Sequence, residues 1–397
     1  MILSDVKVVD LTHFVAGPFC TKYLADYGAD VIKIERTGGG DGVRRLGPFP
    51  GDNPHPEKSG LFLFLNTNKR GITLNLKSST GIDIVKSLVE KADILVENFR
   101  PGVMASLGLG YETLSELNPR LVYTSISNFG QSGPYRDYKA TELISQALGG
   151  VSLTCGVADR EPVRLAGPQS QFHAGLVAAV AAMFAFHLAR KMGVGQLVDV
   201  SIMEAEINIH ELDMMSYPYS GEHHMKRNGS FVGNYPWSIY PCQDGLVAVC
   251  LNNRQWRRIG DWLGMPELSQ NPEYATPAQR LARMDELEAI LVSWLAQRTM
   301  EEATTSAQAA RIPVLPVNSV KEMLQDRHFK AKSYFVDIDH PMAGRLKYPG
   351  IPFKIAPAAK HAPRPAPLLG QHNQEIYCGE LGYSKEEMAH FGQMEVI

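Results

Sequence analysis

Val6-Lys7-Val8-Val9-Asp10-Leu11, the turn Gly17-Pro18, the run Phe19 to Tyr27 and then Gly28-Ala29-Asp30-Val31-Ile32-Lys33-Ile34-Glu35 together decide the fold. The first run is Val-rich and reads as a strand. The Gly-Pro pair turns the chain into an apolar-periodic helix, and the last run reads as a second strand. The alternation returns downstream. Gly71-Ile72-Thr73-Leu74-Asn75-Leu76 reads as a strand, about Gly81 to Lys91 as a helix, and Ala92-Asp93-Ile94-Leu95-Val96-Glu97 as a strand. A further strand follows at Leu121-Val122-Tyr123-Thr124-Ser125-Ile126-Ser127. Strands that alternate with helices imply a mostly parallel sheet covered on both faces, so the expected class is α/β.

From about Ser220 the composition changes to a polar, Gly-containing connection that carries His223, His224, Lys226 and Arg227. Short elements then run to Pro313-Val314-Leu315-Pro316, and the tail from Ser333 is Pro-rich. These shifts divide the chain into 1–220 (large domain), 221–330 (a smaller domain) and 331–397, expected to return to the large domain as extended chain.

The 397 residues are 44% hydrophobic and 20% charged, an ordinary balance for a soluble globular protein. A formal net charge of -3 gives no reason to expect a nucleic acid or an anionic membrane as partner. The five Cys are scattered and form no CxxC pair, which suits a reducing cytoplasm and argues against a disulfide framework or a zinc site. Met1-Ile2-Leu3-Ser4-Asp5 has no basic region leading into an apolar run, so no signal peptide is expected. The Ala-rich stretch from Leu176 to Leu188 is too short for a bilayer and reads as a buried helix.

Two local patterns invite a ligand and are set aside. Gly38-Gly39-Gly40-Asp41-Gly42 lacks the Lys-Ser/Thr of a phosphate loop and reads as a flexible connection. His223-His224 are adjacent, so their side chains diverge, and no other ligand is spaced to help. No metal is expected.

Several segments, in this order, resemble the family III CoA-transferases, the group of formyl-CoA and carnitine CoA-transferases. They include Val8-Val9-Asp10-Leu11-Thr12 with Ala16-Gly17-Pro18, the run from Leu24 to Glu35, Asn68-Lys69-Arg70-Gly71 and Glu97-Asn98-Phe99-Arg100-Pro101-Gly102. Gly130-Gln131-Ser132-Gly133-Pro134-Tyr135, Gly195 to Ser201 and Pro367 to His372 complete the set. The resemblance implies a Rossmann-like large domain, a small domain between its two parts, and an interlocked dimer. It also implies coenzyme A or an acyl-CoA as substrate. Phe14, Val15 and Ala16 would line the pantetheine arm, and Arg36, Leu74, Asn75 and Lys77 would flank the adenosine end. Asn98, Phe99 and Arg100 would follow the strand end, the usual ligand edge of a parallel sheet.

The resemblance also identifies three departures around one site. Gln171 stands where the family has its nucleophilic Asp, in a segment from Pro162 that opens a helix running towards Arg190. Ser106 falls where the family usually has Arg, and Thr141 where formyl-CoA transferase has Tyr; Lys139 is retained. A carboxamide is neutral and cannot form the mixed anhydride of the family mechanism. Glu142 and His173 are the nearest candidate substitutes. The racemase branch of the fold needs a His–Asp pair that Tyr138-Lys139-Ala140-Thr141-Glu142 does not supply.

The expected function is therefore a CoA-transferase subunit that moves CoA between an acyl-CoA and a carboxylic acid. The chain resembles the Asp-lacking member of the benzylsuccinate CoA-transferase pair, with an Asp-containing paralogous subunit as partner. A homodimer using another group, or a non-catalytic CoA-binding protein, stays open.

Overall fold

A computed structural model gives the fold and describes all residues except 158, 210, 222–234 and 357–361. His223 and His224 lie outside the described residues. The chain divides into two compact units, one of residues 1–151, 165–209 and 333–397, the other of 152–164 and 210–332. The second unit thus also takes Ser152–Arg164, and it begins before the composition shift at Ser220.

The first unit is built on six parallel strands: β1 (Lys7–Asp10), β2 (Asp30–Glu35), β3 (Arg70–Thr73), β4 (Ile94–Glu97), β5 (Val122–Ser127) and β6 (Leu197–Ser201). Their order is β3-β2-β1-β4-β5-β6, with Asp10 in register with Lys33 on one side and Val96 on the other. Residues alternate across such strands, so neighbours go to opposite cores. Val8, Val31, Ile94 and Val122 pack on one face, and Val9, Ile32, Leu95 and Tyr123 on the other. Nearly every strand residue is apolar or satisfied, the pattern of a sheet buried on both sides.

Two helices cover the first face. The helix Ala16–Asp26 follows β1, and the long helix Gln169–Met192 lies beside it. Ala174, Ala178, Ala182, Ala185 and Ala189 turn inward and keep the long helix close. At Gly175 the approach leaves no room, because an added Cβ would stand 2.5 Å from the carbonyl oxygen of Ala16. The opposite face of the same helix exposes Leu176, Val180, Phe184 and Leu188, with Phe184 73% exposed.

The C-terminal segment departs from the extended tail expected from its prolines. It opens with an antiparallel hairpin, β10 (Phe335–His340) and β11 (Gly344–Pro349), and closes with the helix Lys385–Gln393. Gly344 takes the left-handed conformation that the hairpin turn needs, with φ 75°. The side chain of Ser384 caps the final helix by accepting from Glu387 N. Between them the chain fastens onto β3: Gly71 N donates to His372 Nδ1 at 3.0 Å, and the Tyr377 hydroxyl donates to Thr73 O at 2.6 Å.

The second unit has a small antiparallel sheet, ordered β7 (Trp237–Cys242), β8 (Gly245–Cys250) and β9 (Val314–Pro316). Val247, Val249, Trp262, Leu291 and Trp294 form its core. Arg280 is fully buried there and donates to the carbonyl oxygens of Tyr235 and Tyr274.

Candidate active site

The loops after β1, β2, β3 and β4 all emerge at one edge of the parallel sheet, and they enclose a cleft of about 450 Å³. Its walls are apolar where Leu11, Leu74, Phe99 and Leu107 face it, and its rim carries Arg36, Arg45 and Lys77. Phe14 reaches it from a left-handed backbone, with φ 63° and the ring 51% exposed. That conformation is unfavourable for a bulky residue. It is held because Phe14 N donates to Asp41 Oδ1 at 3.0 Å.

Buried charge fixes the floor of this cleft. Asp10, at the end of β1, accepts from Lys69 Nζ at 3.0 Å, from Thr21 Oγ1 at 2.6 Å and from Thr12 N at 2.9 Å. Burial alone would raise the Asp10 carboxyl. The Lys69 and Lys33 ammonium groups and the two Thr hydroxyls outweigh it and hold the group well below the usual carboxylate range. Lys33 donates to Asp41 Oδ2 at 3.1 Å, and Glu35 takes Nε and Nη2 of Arg44 at 2.7 Å each. The loop Gly38–Gly42, expected to be flexible, is therefore tied down at its Asp41 end. Asn98 brackets the backbone of His13, accepting from its N at 2.8 Å and donating to its O at 2.7 Å. Burial lowers the His13 imidazole pKa, Lys33 adds to that, and Asp41 opposes it, so His13 is held towards its neutral form.

The first turn of the long helix lies close by. Gln171 sits one turn before the Gly175–Ala16 contact, and Ala16 is two residues from Phe14. Phe172 packs edge-on against Phe19 of the first helix at 4.8 Å. The Gln171 carboxamide is half-buried and makes no hydrogen bond with a described side chain or backbone group. Glu142 caps this helix from the neighbouring helix Glu142–Leu148. One oxygen accepts from Ser170 N at 2.9 Å and Gln146 Nε2 at 2.6 Å, and the other from Ser170 Oγ at 2.7 Å. Nδ1 of His173 is buried without a partner, and burial lowers the pKa of that imidazole, opposed by a hydrogen bond to the Ala205 backbone.

The model of CoA-transferase family III matches residues 3–373 of this chain. The chain belongs to CoA-transferase family III. It is 34% identical to the succinyl-CoA:D-citramalate CoA-transferase of Chloroflexus aurantiacus over 100% of this chain and 98% of that one. It is 32% identical to the formyl-CoA:oxalate CoA-transferase of Streptomyces avermitilis, covering 97% of each. A CaiB/BaiF family protein from Brucella suis has a similar structure, with TM-score 0.85, 28% identity, and 95% and 98% of the two chains covered.

Phe14, Arg36, Leu74, Asn75, Lys77 and Phe99 all line this cleft. Val15 and Ala16 are buried behind it, at 5% and 1% exposure, and present no side-chain surface to a ligand. Asn98 serves the His13 backbone, and Arg100 is not among the lining residues. His13, Thr37, Arg45, Val103 and Leu107 line the cleft and were missed. His13 stood in the sequence beside Phe14. Arg45 was masked by Arg44, since two adjacent arginines do not reveal which one turns inward.

The three positions that the sequence reading set apart, Gln171, Ser106 and Thr141, are exposed or unengaged. Ser106 is exposed and its hydroxyl donates to Val103 O at 2.7 Å, so no cation reaches the cleft from that position. Thr141 precedes its helix without a side-chain cap, and Lys139 is exposed with no ion-pair partner among the described residues. Chemically, the cleft can hold a long ligand that is anionic at one end and apolar along its length. The turn at Gln171 offers a neutral amide.

Proposed function

We propose that this chain binds an acyl-CoA in the cleft and acts as the Asp-lacking subunit of a heteromeric family III CoA-transferase. The observation that carries the reading is Gln171, an unengaged amide in the register of the family nucleophile, beside a Glu142 whose two oxygens both cap the long helix. Using Glu142 as nucleophile would release Ser170 N and Oγ, so it is a poor substitute. In this reading the partner's carboxylate attacks the donor thioester and expels CoA thiolate, forming a mixed anhydride. The thiolate then attacks the enzyme-side carbonyl of the anhydride, releasing the donor's free carboxylate and leaving an enzyme thioester. The acceptor carboxylate attacks that thioester and expels CoA thiolate to form a second anhydride, and the thiolate attacks its acceptor-side carbonyl to give the new acyl-CoA and free the enzyme carboxylate. Backbone N–H groups stabilise the developing oxyanions.

The donor is a short acyl-CoA such as succinyl-CoA. The acceptor is a small carboxylic acid, with the named relatives pointing to the dicarboxylic kind and benzylsuccinate a substituted example. The apolar stripe Leu176, Val180, Phe184 and Leu188 supports a subunit contact, here assigned to an interlocked dimer in the cytoplasm. Incubation with succinyl-CoA, trapping with hydroxylamine and mass spectrometry test the division of labour. The expected result is no modified residue on this chain alone, and modification of an Asp on the paralogous chain when the two are mixed. A trapped adduct on this chain overturns the reading.

A further inference from the structure

The tripeptide Glu97-Asn98-Phe99 shapes one wall of the cleft, and its first side chain fixes its last residue. Glu97 is 4% exposed at the end of β4, and its Oε2 accepts from Phe99 N, two residues on, at 2.8 Å. Phe99 lines the cleft and meets the His13 ring edge-on at 5.5 Å. The carboxyl group of Glu97 thus holds the backbone from which that ring is presented.

The same carboxyl group is held from a second strand. Ser125, its register partner on β5, hydrogen-bonds to it. Ser125 Oγ also accepts from Gln131 Nε2 at 2.8 Å, so its single proton is the one given to Glu97. Gln131 N in turn donates to Asp199 Oδ2 on β6 at 2.9 Å. One unbroken chain of hydrogen bonds runs from the cleft wall to the loop after β5, which leads on to Glu142.

An ionised carboxylate only accepts, which suits Phe99 N and the Ser125 hydroxyl together. A protonated one must place an O–H between two groups that already donate to it, and one of the two bonds is given up. Burial works against the ionised form, the two hydrogen bonds oppose that, Asp199 adds to it, and the group is pushed up to about 7. Among the described residues Tyr123 of β5 is the other titratable group tied to Glu97, and burial first and Glu97 next hold its hydroxyl high and neutral. On the other side β1 runs out into Leu11, which is apolar.

We propose that Glu97 is a positioning residue of the ligand cleft: its carboxylate holds Phe99 and the loop after β5 in the arrangement that takes the ligand, and protonation releases that arrangement. Resting on the acyl-CoA reading above, the ligand is an acyl-CoA. Glu97 acts through Phe99 and does not itself touch the ligand.

Calorimetry with CoA between about pH 5.5 and about pH 8.5 tests this on the wild type, Glu97→Gln and Ser125→Ala, each first shown to be folded by its melting curve. The glutamine variant stands for the neutral form at every pH. The wild type is expected to match it at the acid end and to bind about tenfold tighter at the alkaline end, the ratio rising through about 7. Taking the ratio cancels the titration of the ligand's own phosphate. Ser125→Ala removes one donor to the carboxylate, so its rise, against the same glutamine reference, moves to higher pH. A ratio constant across the range marks a structural contact only and overturns the proposal, and so does an unmoved rise in Ser125→Ala. Either result leaves the acyl-CoA reading intact. A folded wild type that binds no CoA at any of these pH values overturns both readings.

Discussion

The cleft floor and the first turn of the long helix lie close together yet are held in opposite ways. Beneath the cleft, Asp10, Lys33, Glu35, Asp41, Arg44 and Lys69 are buried and paired with one another, and any one left unpaired would be a charge without water. At Gln171 nothing is so bound: the amide has no partner, Lys139 points to solvent, and Ser106 serves its own helix. Beneath the cleft the side chains are tied by paired charges, whereas at the helix start Glu142 caps the backbone and only the side chains of Gln171, Lys139 and Thr141 are left loose.

The sharpest way to break this contrast is to give the loose half its carboxylate. Gln171→Asp is expected to turn over below about 1 per second as the isolated chain, because a nucleophile without its supporting groups is not positioned. The triple variant with Ser106→Arg and Thr141→Tyr should exceed it by at least about tenfold. Ordinary turnover by the single variant would mean that the surroundings of Gln171 are competent after all.

On the rigid side, Lys69→Met should cost about 3–5 kcal/mol in denaturant unfolding at pH 7, since Asp10 keeps its charge and loses its main partner. The Asp10 carboxyl is held low in the fold, so its contribution is present above its unfolded value and is lost as the pH falls through the folded one. The gap between variant and wild type should therefore stay full down to about pH 4 and narrow only below it. A gap independent of pH would show packing, not charge, to be what Lys69 supplies.

A smaller effect is expected at Glu97, on the strand end between these regions. Burial pushes its carboxyl up to about 7, against hydrogen bonds from Ser125 and Phe99 N, and Asp199 adds to the rise. A raised group contributes stability that is present at low pH and lost as the pH climbs through about 7. Glu97→Gln should gain on the order of 1–3 kcal/mol over the wild type at pH 8 and nothing below about pH 4. Equal melting curves at both values would remove Glu97 from the titrating groups of the fold.

The smallest shift concerns Phe14. Phe14→Gly relieves its left-handed backbone and loses a half-exposed ring, so stability should change by less than about 1 kcal/mol. CoA binding should nevertheless weaken measurably in calorimetry. If binding is unchanged, the ring is not part of the ligand surface.

The strands were legible because Val- and Ile-rich runs at short spacing leave few other readings, and β2 and β5 fall where the sequence puts them. Gly17-Pro18, read as a turn before the helix, is instead the first turn of the helix Ala16–Asp26, where the missing N–H of proline costs no hydrogen bond. Other features depend on partners far along the chain. Asn98 serves the His13 backbone, and Glu142 serves Ser170, for reasons that no local pattern carries. Arg44 and Arg45 are identical neighbours in sequence, yet one is fully buried against Glu35 and the other faces the cleft. The hairpin of β10 and β11 was hidden by the prolines around it, which read as extended chain.

The contact at Gly175 sets a length as well as a packing density. The carbonyl oxygen of Ala16 occupies the space of the missing methyl group, so the distance between two helix starts is gauged by a single absent carbon. One helix start leads back to Phe14 and the cleft, and the other carries residue 171. Changes at Gly175 thus act on the span between the cleft and residue 171, and they act without touching either. In the heteromer proposed above, a catalytic and a silent version of this fold would share that span unchanged, and one could stand beside the other in a single assembly.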